Sequence, residues 1–384
     1  MADVNVINQI EKIENTVISG LKDFQKATVT RIDQLYRAGQ MRVLVSDEVG
    51  LGKTLIARGT IAKLAKMQKE AGDDLVKVVY ICSNASIAEQ NLNKLRITSE
   101  LRTEHTGSSR LSMQHLNIFK QENDSDLLSR YIQLIPLTPD TSFRMTNGAG
   151  TYSERALMFA ILRRLPELSP YTKALEFAMK DGASSGWDGW AKSWYETEVV
   201  ECDKLSGGKY LSYMRDKLSV ELRETVEENV TYLDLIIGMC KNIEKYGYKK
   251  QNNTYVIGKL RVLFAKISLD KLEPDLVIMD EFQRFKYLIN SDPESETGML
   301  ANKFFNSDKV RMLLLSATPY KMYSTLEEID EAQVDEHYSE FFDVMNFLNI
   351  TEKEKNKFKS VWSNYSVQLK ELTDGDTTIL AAKK

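Results

Sequence analysis

Residues 42–67 read RVLVSDEVGLGKTLIARGTIAKLAKM. The stretch starts with a short apolar run and passes through a loop that contains Gly50 and Gly52. It ends in a segment with the three- and four-residue apolar spacing of an amphipathic helix. This order predicts a buried strand, a tight loop and a helix. Residues 47–54 follow the pattern G-x-x-x-x-G-K-T except at its first place, where Asp47 stands instead of glycine.

The residue types of this loop are those that phosphate binding requires. Glycines allow backbone N–H groups to close around phosphate oxygens, and the positive end of the following helix attracts the same anion. A lysine next to the last glycine would contact the β- and γ-phosphates, and the hydroxyl after it would ligate Mg²⁺. The alternative is a chance glycine turn before a helix, which the flanking strand and helix disfavour. We therefore predict nucleotide binding by Glu48, Val49, Gly50, Leu51, Gly52, Lys53 and Thr54.

Further apolar runs at residues 76–83, 131–138, 274–281 and 310–319 predict additional strands. Continuous apolar strands separated by helices are typical of a parallel sheet with both faces covered. We therefore predict an α/β fold with a central, mostly parallel sheet flanked by helices. The interval 148–254 is mainly helical in pattern and interrupts the alternation, which predicts a large helical insertion.

Polar residues follow two of these apolar runs. Asp280 and Glu281 come after LVIM, and ligands of open α/β sheets bind at the carboxyl ends of the strands. Asp280 could hold Mg²⁺ there, and Glu281 could orient or deprotonate an attacking water. Ser316 and Thr318 follow the last run. They could join the nucleotide site to a second surface, or they could be an ordinary strand exit.

Six segments in order carry a resemblance to a known family: LKDFQKATV, DEVGLGKT, ICSNASIAEQNLNKL, LTPDTSF, DEFQ and LSATP. They resemble the ATP-binding, RecA-like half of superfamily-two helicases and translocases, in particular the Swi/Snf-like branch. The resemblance covers about residues 20–145 and 255–323. It implies a RecA-like P-loop fold, ATP and Mg²⁺ as cofactors, and nucleic acid as partner, with DNA expected rather than RNA. The motifs DEFQRFKYL and LSATPYKMYS look like those of bacterial helicases often associated with phage defence.

The resemblance also implies roles for single residues. Gln25 would recognise adenine beside Phe24, which stands where the branch has an aromatic residue. Asp280 would bind Mg²⁺ and Glu281 would be the catalytic base. Gln283 stands where related families carry His or Asp, and would have a catalytic and coupling role.

Two further groups take roles from the resemblance. Ser316 and Thr318 would link the ATP state to movement on nucleic acid. Asn84, Thr138 and Pro139 fall where members of the family touch the phosphodiester backbone. The implied organisation is a RecA-like domain at 1–147 and 255–323, the insertion at 148–254, and a helical extension at 324–384.

Composition limits the partners. The chain has 51 Lys and Arg against 55 Asp and Glu, which excludes binding to nucleic acid by bulk charge and leaves a local groove as the means. Three cysteines and three histidines show no disulfide or zinc spacing. With no long apolar run and no signal-peptide pattern, we expect a cytoplasmic protein without a membrane partner.

Motors of this type need a second RecA-like domain that bears an arginine finger. After Tyr323 only 61 residues remain, fewer than the roughly 100–150 of a typical domain. We therefore expect a fragment, a truncated protein or a subunit completed by another chain, almost inactive in ATP hydrolysis alone. Two other functions stay open: an ATPase that remodels protein complexes, and a non-hydrolysing scaffold whose insertion recruits a protein partner.

The interval 148–254 offers weaker candidates. We expect a loop that carries three tryptophans, either as a stacking platform or as anchors of the insertion to the sheet domain: Trp187, Trp190 and Trp194. Three arginines could face a groove or lie on a solvated helix face: Arg155, Arg163 and Arg164. The segment 246–255 interleaves aromatic and basic residues, as single-strand binding loops or solvated loops do.

Overall fold

The structure is a computed structural model of the chain. It describes residues 2–47, 50–83, 85–99, 101, 110–138, 148–180, 184–247, 253–285 and 309–316, with short pieces at 291–292, 298, 301–302, 305, 307, 344–348, 353–354, 356–357 and 360–361. The chain divides into two compact units, residues 1–317 and 318–384. The helices and strands below belong to the first unit.

The described strands are β1 Arg42–Ser46, β2 Val76–Ile81, β3 Ile132–Leu137, β4 Thr225–Glu227, β5 Val230–Thr231, β6 Leu276–Asp280 and β7 Arg311–Ser316. Five of them form one sheet in the order β1-β7-β6-β2-β3, and every pairing in it is parallel. The predicted α/β fold is therefore confirmed. Strands β4 and β5 form a separate antiparallel hairpin, which the sequence did not predict.

The described α-helices of five or more residues are α1 Ala2–Ser19, α2 Asp23–Arg37, α3 Lys53–Glu70, α4 Ala85–Leu95, α5 Gln114–Glu122, α6 Leu127–Tyr131, α7 Tyr152–Leu162, α8 Thr172–Lys180, α9 Lys192–Leu205, α10 Lys209–Glu221, α11 Tyr232–Tyr246 and α12 Thr254–Leu272. Short 3₁₀ turns lie at Leu111–Met113, Ser169–Tyr171 and Phe282–Phe285. No helix in the described part of the chain combines the length and apolarity needed to cross a membrane.

One face of the sheet packs against α1–α4. Alternate residues of the strands enter a single hydrophobic cluster with the apolar stripes of these helices. Strands β2 and β3 are buried along their whole length, which explains why their sequences are mainly apolar rather than alternating, with Lys77 and Gln133 as buried polar exceptions.

A second hydrophobic core joins the helices α7–α12 to residues 113–119. Helix α12 has consecutive buried residues over 260–265, so it is enclosed on all sides before the chain enters β6. The helices of the interval 152–246 are thus packed around α5 and α12.

The predicted tryptophan loop is wrong. Residues Trp187–Ala191 form a π-helical turn that continues into α9. Trp187 is fully buried, with its ring centroid 5.8 Å from that of Phe159, and this packing holds the glycine-containing segment in a helix. Trp187 therefore anchors the helical core, whereas Trp190 and Trp194 are 45% and 56% exposed.

Arg155 is buried, so it neither faces a groove nor lies on a solvated helix face, and both predictions are wrong for this residue. Arg163 and Arg164 pair with the Glu196 carboxylate at 3.1 and 2.7 Å. They tie α7 to α9 rather than facing a groove. In the segment 246–255, residues 248–252 lie outside the described residues, and the two tyrosines at its ends are exposed.

Candidate active site at the sheet edge

The strand order brings the ends of β1, β7 and β6 together. The register pairs Ser46 with Ser316 on β7, and Leu315 with Asp280 on β6. Because all three strands are parallel, the loop after β1 and the acids at the end of β6 lie on one edge. The β1 and β6 backbones are about 10 Å apart, two strand spacings, with β7 between them.

The backbone of the loop explains its two glycines. Gly50 and Gly52 have φ angles of +88° and +80°, in the left-handed region that favours glycine. A Cβ on Gly52 would lie 2.6 Å from Nε2 of Gln25, whereas a Cβ on Gly50 would meet nothing within 4 Å. Position 52 therefore favours glycine for two reasons: its left-handed backbone conformation and the closeness of the Gln25 amide. Gly52 is also the N-cap of α3, whose first N–H groups have no partner within the helix.

Lys53 begins α3 and lies against the loop. Its Nζ donates a hydrogen bond to the carbonyl oxygen of Asp47 at 2.9 Å. The N–H of Asp47 donates to the carbonyl oxygen of Ser316 at 3.2 Å, and Ser316 is fully buried on β7. These bonds tie the loop to the strand next to β6.

Gln25 connects α2 to the loop. Its side chain is 4% exposed, its Oε1 accepts from the N–H of Lys22 at 3.0 Å, and its Nε2 donates to the carbonyl oxygen of Leu51 at 2.9 Å. Phe24, Leu51 and Leu55 are large apolar side chains that remain exposed beside it. Leu55 was not predicted as a site residue, although it is an apolar residue in the first turn of the helix, three positions after Gly52.

Asp280 is held by two polar side chains. The hydroxyl of Tyr80 donates to its Oδ2 at 2.5 Å, and Nδ2 of Asn91 lies 2.7 Å from that hydroxyl and 3.4 Å from the same Oδ2. Burial and the adjacent Asp280 carboxylate raise the pKa of Tyr80, so its hydroxyl stays protonated and can donate. Neither Tyr80 nor Asn91 was predicted as a site residue.

Glu281 has an unusual backbone. Its φ is +55°, in the left-handed region, where a non-glycine residue is strained by about 1–3 kcal/mol. This conformation turns the chain out of β6 and into the 3₁₀ turn. Its exposed carboxylate pairs with Nε of Arg284 at 2.8 Å.

The residue types at this edge fit ATP and Mg²⁺. The loop offers a lysine ammonium, a helix N-terminus and, at Gly52, a glycine where a side chain would meet Gln25. Among the described residues, no group of three or more His, Cys, Asp and Glu could hold a metal ion by itself. Magnesium in nucleotide sites takes one or two carboxylates together with phosphate oxygens, so Asp280 with the Thr54 hydroxyl suits that ligand set.

Several predicted site residues lie outside the described residues: Glu48, Val49, Asn84, Pro139 and Thr318. The backbone of Gln283 belongs to the 3₁₀ turn, but its side chain is not described. Thr138 directly follows β3 and is buried.

Residues 18–135 match the family model described as "Type III restriction enzyme, res subunit". The match indicates an ATP-binding, helicase-type P-loop domain over this segment, which contains Gln25, Lys53 and Thr54 but ends before Asp280. No curated protein and no solved structure matches the chain.

Proposed function

We propose that the chain binds ATP·Mg²⁺ at this sheet edge, as the ATP-binding half of a nucleic-acid-dependent helicase or translocase of the Swi/Snf-like branch. The supporting observation is one edge that joins a loop with left-handed glycines, Lys53, and the Asp280–Glu281 pair. The partners we propose are DNA rather than RNA, and a second RecA-like domain in cis or in trans. The proposed setting is the bacterial cytoplasm, with a role in phage defence.

Phosphate binding uses the loop and the first turn of α3. The Lys53 ammonium exchanges its bond to the neutral Asp47 carbonyl for bonds to phosphate oxygens, in which both the donor and the acceptor are charged. Backbone N–H groups of the loop and of the helix N-terminus surround the same oxygens.

Base recognition uses Gln25 and its apolar neighbours. An amide side chain offers two donor hydrogens and two acceptor lone pairs, and the described bonds to Lys22 and Leu51 use one of each. The remaining donor and acceptor suit the edge of adenine, which presents an amino donor next to a ring-nitrogen acceptor. The exposed side chains Phe24, Leu51 and Leu55 supply an apolar surface for the ring.

Metal binding and hydrolysis use Thr54 together with the two acids at the end of β6. Thr54 and Asp280 would hold Mg²⁺, which when bound neutralises charge that develops on the phosphates. Glu281 would orient the attacking water and accept its proton. To do so, Glu281 must leave Arg284, an exchange that costs little because both side chains are exposed.

Coupling to nucleic acid is proposed through β7. Ser316 lies on the strand between β1 and β6, next to both halves of the site. We propose that Ser316, Thr318 and Gln283 transmit the ATP state, and that Asn84, Thr138 and Pro139 belong to the nucleic-acid track. The insertion would bind a protein partner, to which it offers the exposed side chains of Trp190 and Trp194.

The chain by itself should bind ATP and hydrolyse it very slowly. An arginine finger from a facing domain contributes about 10³–10⁵ in rate, and the site described here is built from a single sheet edge.

The proposal is tested by ATP binding and by steady-state ATPase assays with and without single- and double-stranded DNA and RNA. We expect ATP binding with slow turnover, and Glu281→Gln should keep binding while abolishing the residual turnover. Binding with no turnover under any condition, even with the second domain supplied, would favour the scaffold. Stimulation by protein and not by nucleic acid would favour a protein remodeller.

A further inference from the structure

We infer that Tyr80 and Asn91 are positioning residues that fix the carboxylate of Asp280 for Mg²⁺. The inference rests on the proposed ATP site and assigns a role to two residues that are not among its predicted site residues. It is carried by the register of β2 and β6 and by three hydrogen bonds.

The register explains why Tyr80 can reach Asp280. Tyr80 on β2 pairs with Ile278 on β6, so both side chains lie on the same face of the sheet. Asp280 is two residues beyond Ile278 and returns to that face, about 7 Å further along the strand. A tyrosine side chain spans this distance, and the observed hydroxyl-to-carboxylate separation is 2.5 Å.

This is also the face on which α3 packs. Tyr80 and Ile278 belong to the same hydrophobic cluster as the buried residues of α3. The Asp280 carboxylate therefore emerges on the side of the sheet where α3 begins with Lys53 and Thr54.

The two donors converge on one carboxylate oxygen. Tyr80 donates to Oδ2, and Asn91 lies within 3.4 Å of the same atom, while no described residue donates to Oδ1. Fixing Oδ2 sets the direction in which Oδ1 points. Magnesium demands near-ideal octahedral geometry, so a fixed ligand oxygen favours it over more tolerant ions.

Asn91 completes the arrangement from a different element. It lies on α4, and its amide N–H donates to the Tyr80 hydroxyl at 2.7 Å. The hydroxyl thus accepts from Asn91 while donating to Asp280, which orients its hydrogen toward the carboxylate. Residues that orient metal ligands in this way typically contribute about 10–100-fold to metal affinity or activity.

The test compares Tyr80→Phe with Tyr131→Phe. Each change removes a buried hydroxyl and leaves the ring; the Tyr131 hydroxyl donates to the Ala65 carbonyl at 2.7 Å, away from Asp280. ATP affinity is measured by calorimetry across a titration of Mg²⁺, and again with Ca²⁺. We expect Tyr80→Phe to raise by about tenfold the Mg²⁺ concentration at which the increase in ATP affinity is half-maximal. The corresponding Ca²⁺ concentration should change much less. Tyr131→Phe should change neither titration.

Asn91→Ala should also raise the Mg²⁺ concentration that ATP binding requires, but by less than Tyr80→Phe does. The double variant should fall short of the sum of the two effects, because both residues act on one oxygen. Unchanged Mg²⁺ dependence in folded Tyr80→Phe would overturn the inference, and so would an equal loss with Ca²⁺.

Asp280→Asn separates this inference from the proposed function. A changed Mg²⁺ dependence in Asp280→Asn beside an unchanged one in Tyr80→Phe would refute the positioning role alone. An unchanged dependence in Asp280→Asn would refute the metal site itself.

Discussion

The Nε2 atom of Gln25 donates a hydrogen bond to the carbonyl oxygen of Leu51, at a distance of 2.9 Å. A side chain at the start of α2 thereby holds the backbone of the loop that follows β1. The same amide accepts from the N–H of Lys22, so one residue caps a helix and supports the phosphate loop. The conformation of the loop therefore depends on a residue far from it in the sequence.

Gln25→Ala should weaken ATP binding by about 2–10-fold, because it removes a hydrogen bond worth about 0.5–1.5 kcal/mol from the loop. Amide hydrogen exchange over residues 50–55 should become faster even without nucleotide. Gln68→Ala is the matched control, since the Gln68 amide donates at 2.9 Å to Asp275 at the opposite end of the sheet. Equal hydrogen exchange in wild type and Gln25→Ala would show that the loop does not depend on this bond.

Gly52→Ala should reduce ATP affinity by more than tenfold. The new Cβ would lie 2.6 Å from Gln25 Nε2 at a backbone φ of +80°, so the substitution strains the backbone and displaces the Gln25 amide that holds the loop. Gly39→Ala provides the control, because Gly39 has φ +88° and open space around its Cβ position. That variant should lose about 1–2 kcal/mol of unfolding free energy and keep its ATP affinity. Similar ATP affinities for both variants would contradict the close-approach argument.

The sheet could be predicted from the sequence because its strands are mainly apolar runs separated by helices. The run at 76–83 contains β2, and the run at 310–319 contains β7, with differences of at most three residues at their ends. The phosphate loop was visible for a similar reason, since a local pattern of residue types specifies both its conformation and its chemistry.

Other features depend on contacts that no local pattern records. Tyr80 and Asp280 are 200 residues apart, and only the order of the strands brings them together. The sequence around Trp187 favours a loop because it contains glycines and serines, yet burial of the indole holds it in a helix. The hairpin β4–β5 is too short and polar to show an alternating pattern.

Trp187→Ala should destabilise the protein by about 3–5 kcal/mol, since it empties a fully buried position beside Phe159. Trp194→Ala changes an exposed position and should stay within about 0.5 kcal/mol of wild type. Urea unfolding followed by far-ultraviolet circular dichroism measures both. Equal destabilisation by the two changes would mean that Trp187 does not anchor the helical core.

His115 should make the protein less stable at acidic pH. Burial lowers its pKa from 6.5 to about 3, so the folded state keeps the ring neutral while the unfolded state takes up a proton below pH 6.5. The contribution of the neutral His115 ring to the free energy of unfolding is complete above pH 6.5 and decreases as the pH falls toward 3. Between pH 7 and pH 5 the loss from this residue is about 2 kcal/mol.

The control for this pH dependence is His115→Asn. In wild type, Nδ1 of His115 lies 3.1 Å from the Tyr210 hydroxyl, and the asparagine places a group that does not titrate near that position. The variant should show a smaller difference in unfolding free energy between pH 7 and pH 5 than wild type. A parallel pH dependence in both proteins would exclude His115 as its source.

The most direct test of the central claim is calorimetric titration of ATP with Mg²⁺ into wild type, Lys53→Ala and Lys66→Ala. Lys53 lies on the phosphate loop, whereas Lys66 lies further along the same helix and pairs with Glu11 and Glu14. Loss of a charge-assisted phosphate contact is worth about 1.5–3 kcal/mol, so Lys53→Ala should bind ATP at least about tenfold more weakly. Lys66→Ala should bind as wild type does. Equal ATP affinity in wild type and folded Lys53→Ala, or no ATP binding by wild type, would contradict the assignment of this edge as an ATP site.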